Sequence, residues 1–535
     1  MTRHPSAPTH SGAARPGDDA PALRRRTLIG GLAAGAGLLA MPRLGLGQPS
    51  GGRLVMAQIQ QPPSLDPGVS SSPGSRNLYF HVYELLFTRD ETGRIIPELA
   101  RSVDVSPDFR EFCFRLREGV RFHNGKELTA ADAVASLNRY RQFGLTTALM
   151  TPVTAMEVTS RYEFVVRCEQ GHRSFLFYLS SPRAMAGIIP EEEAGKPRNG
   201  ITPIGTGPFS LAEMRGDSHV LLRRFADYAT VPGFEEPTGF GGQKFASFDQ
   251  VMIRFIAEDG ARAAGLQAGE VHVVETIPTT VARRLARQAR VKVHEALPYA
   301  MQLIRFNHAT EMGRRPEFRR AVMAALNCEE IMAIAFDGLY QLDHAYVFPG
   351  SPYYSDIGKD GYNKRDQALA RRLLREAGYD GRPLTLIVDN GKGNNETAVI
   401  AAQHMRAVGI NVDLRVADYP TTSDANKRAD ESWHFWTHLS GSEPYEGPLS
   451  VMALYSGPFA RHIGRTEAYD TIADRLANAA NDAETRAAFE DFQRIAYDQA
   501  NMVKLGNLGI AQATHRDLQG YRPFRIPRAW GARFS

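Results

Sequence analysis

The residue types that most often perform chemistry in proteins are scattered through this sequence of 535 residues. Its three cysteines, Cys113, Cys168 and Cys328, lie far apart and form no CxxC pair, which argues against a zinc cluster or a dense disulfide framework. We expect small buried thiols, and the spacing leaves open whether Cys113 and Cys168 form a disulfide. His434 and His438 have the i, i+4 spacing of a helix, but the carboxylate that accompanies this pattern in zinc enzymes is missing nearby. The sequence therefore predicts no metal site and no cofactor.

Signatures of common enzymes are missing from the sequence as well. It contains no GxSxG elbow, no HExxH and no Walker A motif. The stretch from Gly119 to Lys126 comes near a phosphate-binding loop, but its glycines lie one residue too far apart and Glu127 follows the lysine. We therefore predict that the protein is not an enzyme. A secreted hydrolase with carboxylates that converge only in space is the alternative, since such a pair leaves no local signal.

The charge balance excludes one large class of partners. The sequence has 63 basic and 59 acidic side chains, a formal net charge of +4, and the charges are dispersed. Proteins that bind nucleic acids usually carry a basic stripe or a strongly basic domain, so we predict no nucleic-acid partner. A hydrophobic content of 43% is sufficient for more than one core, and the length is typical of two to four structural units.

The amino terminus has the pattern of an export signal. Arg24, Arg25 and Arg26 precede the apolar stretch 27–41, which is shorter than the roughly 20 residues that a membrane-spanning helix needs. Consecutive arginines before such a stretch resemble the bacterial twin-arginine export motif. We expect residues 1–47 to be removed as a signal peptide before Gln48, and an uncleaved membrane anchor is the alternative. Because no cysteine lies near that position, the mature protein should be free in the periplasm rather than a lipoprotein.

The rest of the chain mixes strand-like and helical patterns, which predicts an α/β protein. Apolar or alternating runs predict strands, and caps together with apolar stripes of helical period predict helices. The strands are expected at 54–59, 112–116, 384–388 and 410–416. The helices are expected at 130–142 behind a Thr129/Asp132 capping box, at 316–334 from Pro316, at the segment capped by Asn363 with Asp366 and ended by Gly378, at 398–407, and at 483–498.

Several ordered motifs resemble one known family. The longest is 99–140, which contains REGVRFHNG followed by TAADAV. GTGP at 205–208, LQAGEV at 266–271, FN at 306–307 and the stretches 318–327, 362–379 and 405–414 follow in order. This set resembles the extracytoplasmic solute-binding proteins of peptide and nickel ABC importers, family 5, and departs from it at His272, Asn327 and Cys328. GTGP and FHNG at 122–125 are expected to form turns rather than to contact ligand.

The resemblance implies a fold and a function. The implied fold is the two-lobe clamp of periplasmic binding proteins, type II-like, with lobe I at 48–297 plus 508–535, lobe II at 298–507 and an extra subdomain near 80–203. The implied function is the capture of a peptide or similar small polar solute and its delivery to an ABC permease of the inner membrane, by a protein that acts as a monomer. A partner that reports the liganded state to a membrane receptor is the alternative.

The same resemblance implies ligand contacts. Family members that bind peptides pair an acidic residue of an aromatic segment with the ligand's amino group, and Glu443 occupies that place here. A basic residue on another loop pairs with the carboxylate, and the corresponding loop, 389–395, offers Lys392 and Asn390. Trp433 and Trp436 suit either a ligand cleft or a core. Tyr353 and Tyr79 are further candidates for contact with the ligand. The sequence is equally consistent with both tyrosines being solvent-exposed loop residues that contact no ligand.

Overall fold

The computed structural model describes residues 51–535 except 146, 392, 419, 420, 423, 426, 427, 429, 442–444 and 457–463. The predicted signal peptide, with Arg24, Arg25 and Arg26, lies outside the described residues. Residues Pro49–Ser535 form one compact unit. Within the described part, no helix combines the length and the apolar character that crossing a membrane would require.

The strands alternate along the chain with helices. The strands are β1 Arg53–Gln58, β2 Phe87–Arg89, β3 Ile95–Pro97, β4 Ala100–Val105, β5 Glu111–Leu116, β6 Val153–Ser160, β7 Glu163–Cys168, β8 Phe209–Arg215, β9 His219–Arg224, β10 Pro237–Thr238, β11 Gly241–Gly242, β12 Gln250–Phe255, β13 Val273–Ile277, β14 Val291–Phe306, β15 Tyr340–Gln341, β16 Leu384–Asp389, β17 Val412–Ala417, β18 Phe435–Ser440, β19 Met502–His515, β20 Leu518–Gln519 and β21 Arg533–Phe534.

The helices cover the faces of the sheets. The α-helices are Pro73–Val82, Ala130–Phe143, Phe175–Leu179, Glu191–Ala194, Asp259–Ala268, Thr279–Leu285, Glu311–Arg314, Pro316–Ala325, Cys328–Phe336, Gln367–Glu376, Asn394–Ala407, Pro448–Met452, Glu467–Asn478 and Asp482–Gln499, and short 3-10 turns lie at Thr147–Met150 and Lys359–Gly361.

One large mixed sheet runs through the molecule. Its strand order is β17-β16-β18-β14-β19-β13-β1-β12-β9-β8, with β15 paired to β19. β14 and β19 are the long strands at its centre and pair antiparallel with each other along most of their length. The first half of β14 pairs only with β19, whereas its second half also pairs with β18. The two halves of the sheet are therefore connected through these two strands.

A second sheet, of order β4-β5-β7-β6, lies apart from the first. Alternating apolar residues of β5 and β7 pack with the helix Ala130–Phe143 in a core of their own. That helix begins at Thr129 with the predicted capping box to Asp132. Cys113 and Cys168 both belong to this sheet, and all three cysteines are free.

The predicted α/β class is confirmed, and the segments expected as strands at 384–388 and 410–416 and as a helix at 398–407 form a β-α-β unit. β16 and β17 pair in parallel on either side of the helix Asn394–Ala407. Parallel neighbours require such a crossover connection. Its apolar face packs in a core that also contains the side chains of Leu386 and Phe435.

One local prediction was wrong. The expected helix at 316–334 is two helices, because the chain extends at Leu326 and Asn327 and the Asn327 side chain then caps the second helix. His434 and His438 do not share a helix face, since His438 lies within β18 and His434 directly before it. A smaller difference concerns Asn363, whose side chain accepts from the Cys328 N–H, while Asp366 alone caps the helix Gln367–Glu376.

The two turn motifs are structural, as expected. Gly205 and Gly207 lie against the backbone of Val82, where a Cβ atom on either glycine would collide with main-chain atoms. In FHNG, the Phe122 ring is fully buried and Gly125 has a φ of +84°, a conformation that favours glycine. Close backbone packing therefore explains the glycines of GTGP without a ligand.

Candidate functional site

The candidate site lies on one face of the sheet, where β18 pairs with the second half of β14. Side chains alternate between the faces of a sheet, and residues directly opposite each other share a face. Trp436 lies opposite Arg305, and His438 lies opposite Leu303. The other face of these strands carries the apolar side chains of the core described above. Arg305, Trp436 and His438 are thus brought together by strand register.

Two tryptophans form the aromatic part of this face. Trp433 and Trp436 are 0% and 3% exposed and pack with Ile387 and Ala425. The indole N–H of each is buried and has no hydrogen-bond partner. An indole N–H can only donate, and a buried donor without a partner is rare and costly in proteins. Both rings are therefore packed as core residues while each retains one unused donor.

An arginine and a histidine lie beside the Trp436 ring. The guanidinium carbon of Arg305 lies 5.5 Å from its centroid, and the His438 ring lies 4.5 Å from it. Burial, reinforced by the charges of Arg305 and Arg183, holds the pKa of His438 well below its usual value. Histidine is therefore neutral here at physiological pH. Arg183 belongs to a loop far earlier in the chain, so the charge of a distant segment acts on this face.

A buried carboxylate marks a second part of the site. Glu446 is 5% exposed, and its Oε2 accepts hydrogen bonds from Ser181 and Ser450, each at 2.9 Å. Its Oε1 is buried without a partner. Ser181 lies 265 residues before Glu446 in the chain. Glu446 thus offers one unused acceptor at a point where two distant segments meet.

Arg89 lies close to this carboxylate. It donates to the carbonyls of Gly93 at 2.7 Å and Phe177 at 2.6 Å, and it stacks over the Phe177 ring at 4.4 Å. Burial lowers its pKa, and the charge of Glu446 acts in the opposite direction. The guanidinium remains charged, since an arginine is not deprotonated in proteins. Glu446 therefore lies in the field of a nearby cation.

Arg525 connects the carboxyl-terminal segment to β14, to the residue after β18 and to the Tyr445 ring next to Glu446. Its Nη1 donates to the carbonyls of Tyr299 and Gly441, both at 2.9 Å. Its guanidinium lies 4.5 Å from the Tyr445 ring and 5.2 Å from the Phe348 ring. Burial lowers its pKa to about 10, still high enough to keep the charge. The Tyr445 hydroxyl in turn donates to the carbonyl of Asp90, which adds a second contact between distant segments.

The sequence-predicted contacts have different surroundings. Tyr353 lies near Arg89, and its hydroxyl donates to Asp482 at 2.8 Å. Asn390 is exposed at the end of β16. Tyr79 is fully buried, and its hydroxyl donates to the carbonyls of Ser64 and Asp66. Their roles as ligand contacts stay predictions.

Two predicted contacts, Lys392 and Glu443, lie outside the described residues. Sequence reasoning also missed Arg305, Glu446 and Arg525. Arg305 gave one usable signal, since it is a charged residue within the otherwise mostly apolar end of β14. Among the described residues, no cluster of three or more metal-ligating side chains is found.

Known proteins similar to this chain point to one family. Residues 94–460 match the model of the bacterial extracellular solute-binding proteins, family 5. A relative from Sinorhizobium fredii, named "Probable peptide ABC transporter periplasmic-binding protein y4tO", is 24% identical and covers 95% of this chain and 98% of its own length. The glutathione-binding protein GsiB of Salmonella typhimurium is 28% identical over 69% of each chain.

Solved structures of periplasmic binding proteins share the fold, which confirms the predicted two-lobe clamp. The binding protein AgaA of A. tumefaciens R10, solved with agropinic acid, superposes with a TM-score of 0.73 at 21% identity, covering 90% of this chain and 99% of its own. The family model alone spans more than half of the sequence. The resemblance seen in the motifs is thereby confirmed: this chain belongs to the bacterial extracellular solute-binding proteins of family 5.

Proposed function

We propose that this protein is the extracytoplasmic substrate-binding component of an ABC importer, which captures a peptide or similar small polar solute and delivers it to the permease. One observation carries the proposal beyond family membership. The indole donors of Trp433 and Trp436 and the Oε1 acceptor of Glu446 are buried without partners. Buried polar groups in proteins nearly always have hydrogen-bond partners. A solute that accepts from the indole groups and donates to the Glu446 carboxylate would supply the missing partners.

The proposed lobes follow the long strands. We place lobe I at 48–297 plus 508–535, lobe II at 298–507, and an additional subdomain near 80–203. The pairing of β14 with β19 changes register between Ala296 and Ala300, close to the proposed crossing at 297 and 298. The separate sheet β4-β5-β7-β6, with its own core, supports the additional subdomain.

Closure of such a clamp is driven by the ligand's different affinity for the open and closed arrangements. Groups that contact the solute must therefore come from both lobes. Ser181 and Arg183 belong to the proposed lobe I. Ser181 donates to Glu446 of the proposed lobe II, and the charge of Arg183 acts on His438 of that lobe. A solute bound beside these residues would be held from two sides, and the permease would recognise the closed form.

Glu446 is the proposed partner of a cationic group of the solute. Its free Oε1 can accept from an ammonium group, and its Oε2 is already fixed by two serines. A charge-assisted hydrogen bond of this kind is stronger than one between neutral groups. Lys392 and Glu443 remain predicted contacts of the same solute.

The remaining parts of the proposal concern the whole protein. It is exported by a twin-arginine signal that includes Arg24, Arg25 and Arg26, acts as a monomer, carries no lipid anchor, binds no nucleic acid and releases its solute unaltered. Mass spectrometry of the solute recovered after binding tests the last point, because a changed mass would contradict it.

Intrinsic fluorescence provides the main test. The sequence has three tryptophans, of which Trp433 and Trp436 lie in the site and Trp530 packs against His81 and Lys244 elsewhere. Titration with dipeptides, oligopeptides, opines and sugars should change the emission for at least one class. The Trp530→Phe variant should retain this change. Silence across the panel, with no heat of binding by calorimetry, would contradict the proposal.

A further inference from the structure

The Tyr445 side chain is inserted between segments that lie far from it in the chain. It is 9% exposed, and its ring packs edge-on against Phe240 and Phe524, with centroids 6.1 Å and 5.9 Å away. The Arg525 guanidinium lies 4.5 Å from the centroid of the same ring. Under the proposed division, these three partners belong to lobe I and Tyr445 belongs to lobe II. The ring therefore fills a socket that the other lobe forms.

Two hydrogen bonds fix the same segment to the additional subdomain. The Tyr445 hydroxyl donates to the carbonyl of Asp90, in the turn between β2 and β3. The Ser181 hydroxyl donates to Oε2 of Glu446 at 2.9 Å, and both of these residues are buried. Asp90 and Ser181 belong to separate segments of the proposed lobe I. Residues 445 and 446 are thus joined to the opposite lobe directly, by contacts that no solute mediates.

The backbone of the proposed lobe I approaches Tyr445 closely at Gly93. This glycine has a φ of +87°, a conformation that favours glycine, and a Cβ atom on it would lie 2.5 Å from the Tyr445 carbonyl oxygen. Gly233 has nearly the same φ, +86°, but a Cβ atom there would meet open space. Backbone conformation alone therefore favours glycine at 233, whereas the approach of Tyr445 is a second reason for glycine at 93.

We propose that Tyr445 is a latch that holds the two lobes together by direct contact. This inference rests on the proposed function and concerns its regulation. The contacts of the latch form only when the lobes meet, so they raise the population of the closed arrangement whichever solute is present. The apparent dissociation constant of a clamp is the intrinsic one divided by the fraction of binding-competent molecules. Tyr445 therefore strengthens the binding of every solute by a common factor, unlike a side chain that contacts the solute itself.

Small-angle X-ray scattering of the protein without solute tests the latch independently of any ligand. Gly93→Ala forces a Cβ atom against the Tyr445 carbonyl and should increase the radius of gyration, and Tyr445→Phe should increase it less. Gly233→Ala, the matched control for backbone strain, should leave it unchanged. If Gly93→Ala and Tyr445→Phe both scatter like the unaltered protein, the inference is wrong, whatever the protein binds. Should Gly93→Ala fail to fold, Tyr445→Phe, which keeps the ring in its socket, decides alone.

Peptides then test whether the effect is common to all solutes. In calorimetry, Tyr445→Phe should weaken the binding of Ala-Ala, trialanine and tetra-alanine by one common factor of about fivefold, which is the value of one hydrogen bond. Tyr379→Phe loses a hydroxyl that donates to the Arg382 carbonyl within lobe II, and it should weaken none of them. Unchanged affinities would overturn the inference, and so would factors that differ between peptides, since Tyr445 would then be a ligand contact. If the unaltered protein binds none of the three, that result counts against the proposed function, and the scattering alone decides the latch.

Discussion

The fully buried His81 should make the fold sensitive to acid. Its Nδ1 lies 2.6 Å from the carbonyl oxygen of Asn77, which can only accept, so Nδ1 carries the hydrogen. Its Nε2 then has a lone pair that accepts from the Ala529 N–H at 3.1 Å. Protonation of Nε2 would break the second bond and place two donors against each other. Burial, with the charge of Lys244 acting in the same direction, lowers the pKa of His81 to about 3.

The sign and size of the effect follow from linkage. The pKa of His81 lies below its value of about 6.5 in the unfolded chain, so the unfolded state binds more protons between pH 6.5 and 3. The stabilisation is therefore fully present above pH 6.5 and is lost as the pH falls towards 3. One pKa unit corresponds to about 1.4 kcal/mol, so at pH 4 His81 alone should cost about 3 kcal/mol of the free energy of unfolding.

Denaturant unfolding of the His81→Gln variant measures this contribution. Glutamine can donate and accept but does not titrate, so the variant should lose about 3 kcal/mol less than the unaltered protein between pH 7 and pH 4. Other groups that titrate in this range contribute to both proteins and cancel. Equal losses in His81→Gln and the unaltered protein would refute the reasoning.

Three further changes are expected to separate ligand contacts from structural ones. Glu446→Gln should weaken the binding of an amine-bearing peptide by about 2–5 kcal/mol in calorimetry. Ser450→Ala keeps the carboxylate and should weaken this binding less. An unchanged affinity in Glu446→Gln would remove Glu446 from the site. Arg525→Met leaves the carbonyls of Tyr299 and Gly441 unpaired and should lower the free energy of unfolding by about 2–4 kcal/mol. Arg525→Lys should recover part of this loss. An unaltered denaturation midpoint in Arg525→Met would contradict the expectation. Gly205→Ala would place a Cβ 2.0 Å from the Val82 carbonyl oxygen and should lower the free energy of unfolding by about 1–3 kcal/mol. At Gly195 the added Cβ meets open space, so Gly195→Ala should lower it little. Similar thermal unfolding of the two variants would show that the packing at Gly205 is not tight.

Elements with local signals could be predicted from the sequence. The capping box of Thr129 and Asp132 lies within one helical turn, so its hydrogen bonds depend on neighbours in the chain alone. The break between Pro316–Ala325 and Cys328–Phe336 depends on distant partners instead. The Asn327 N–H donates to His404 and the Cys328 N–H donates to Asn363. Periodicity continues across such a break, and only the tertiary contacts reveal it.

The residues of the candidate site also divide into those that the local sequence identifies and those that only the tertiary structure reveals. Trp433 and Trp436 could be identified because two tryptophans in one short segment are conspicuous. Their neighbour Arg305 is 131 positions before Trp436, and only strand register brings the two together. Glu446 differs from the predicted Glu443 by three positions, and the sequence contains nothing that tells which carboxylate two distant serines will hold. Spatial convergence of this kind is determined by topology rather than by spacing.

Under the proposed function, Arg525 and the ligand both affect the closure of the two lobes. A register change between β14 and β19 is the reason. The pairing of β14 with β19 changes register twice, between Gln302 and Leu303 and between Ala296 and Ala300. Bending is easiest at the second change, where the register skips residues 297–299. Arg525 donates to the carbonyl of Tyr299 within that break and to Gly441 beyond it, and thereby favours one angle. Moving an equilibrium from 1:99 to 99:1 takes about 5.5 kcal/mol of differential affinity. Charge-assisted hydrogen bonds contribute about 1.5–3 kcal/mol each. Two to four of them, made only when both lobes contact the solute, are therefore sufficient, and a cationic group of the solute at Glu446 would supply one.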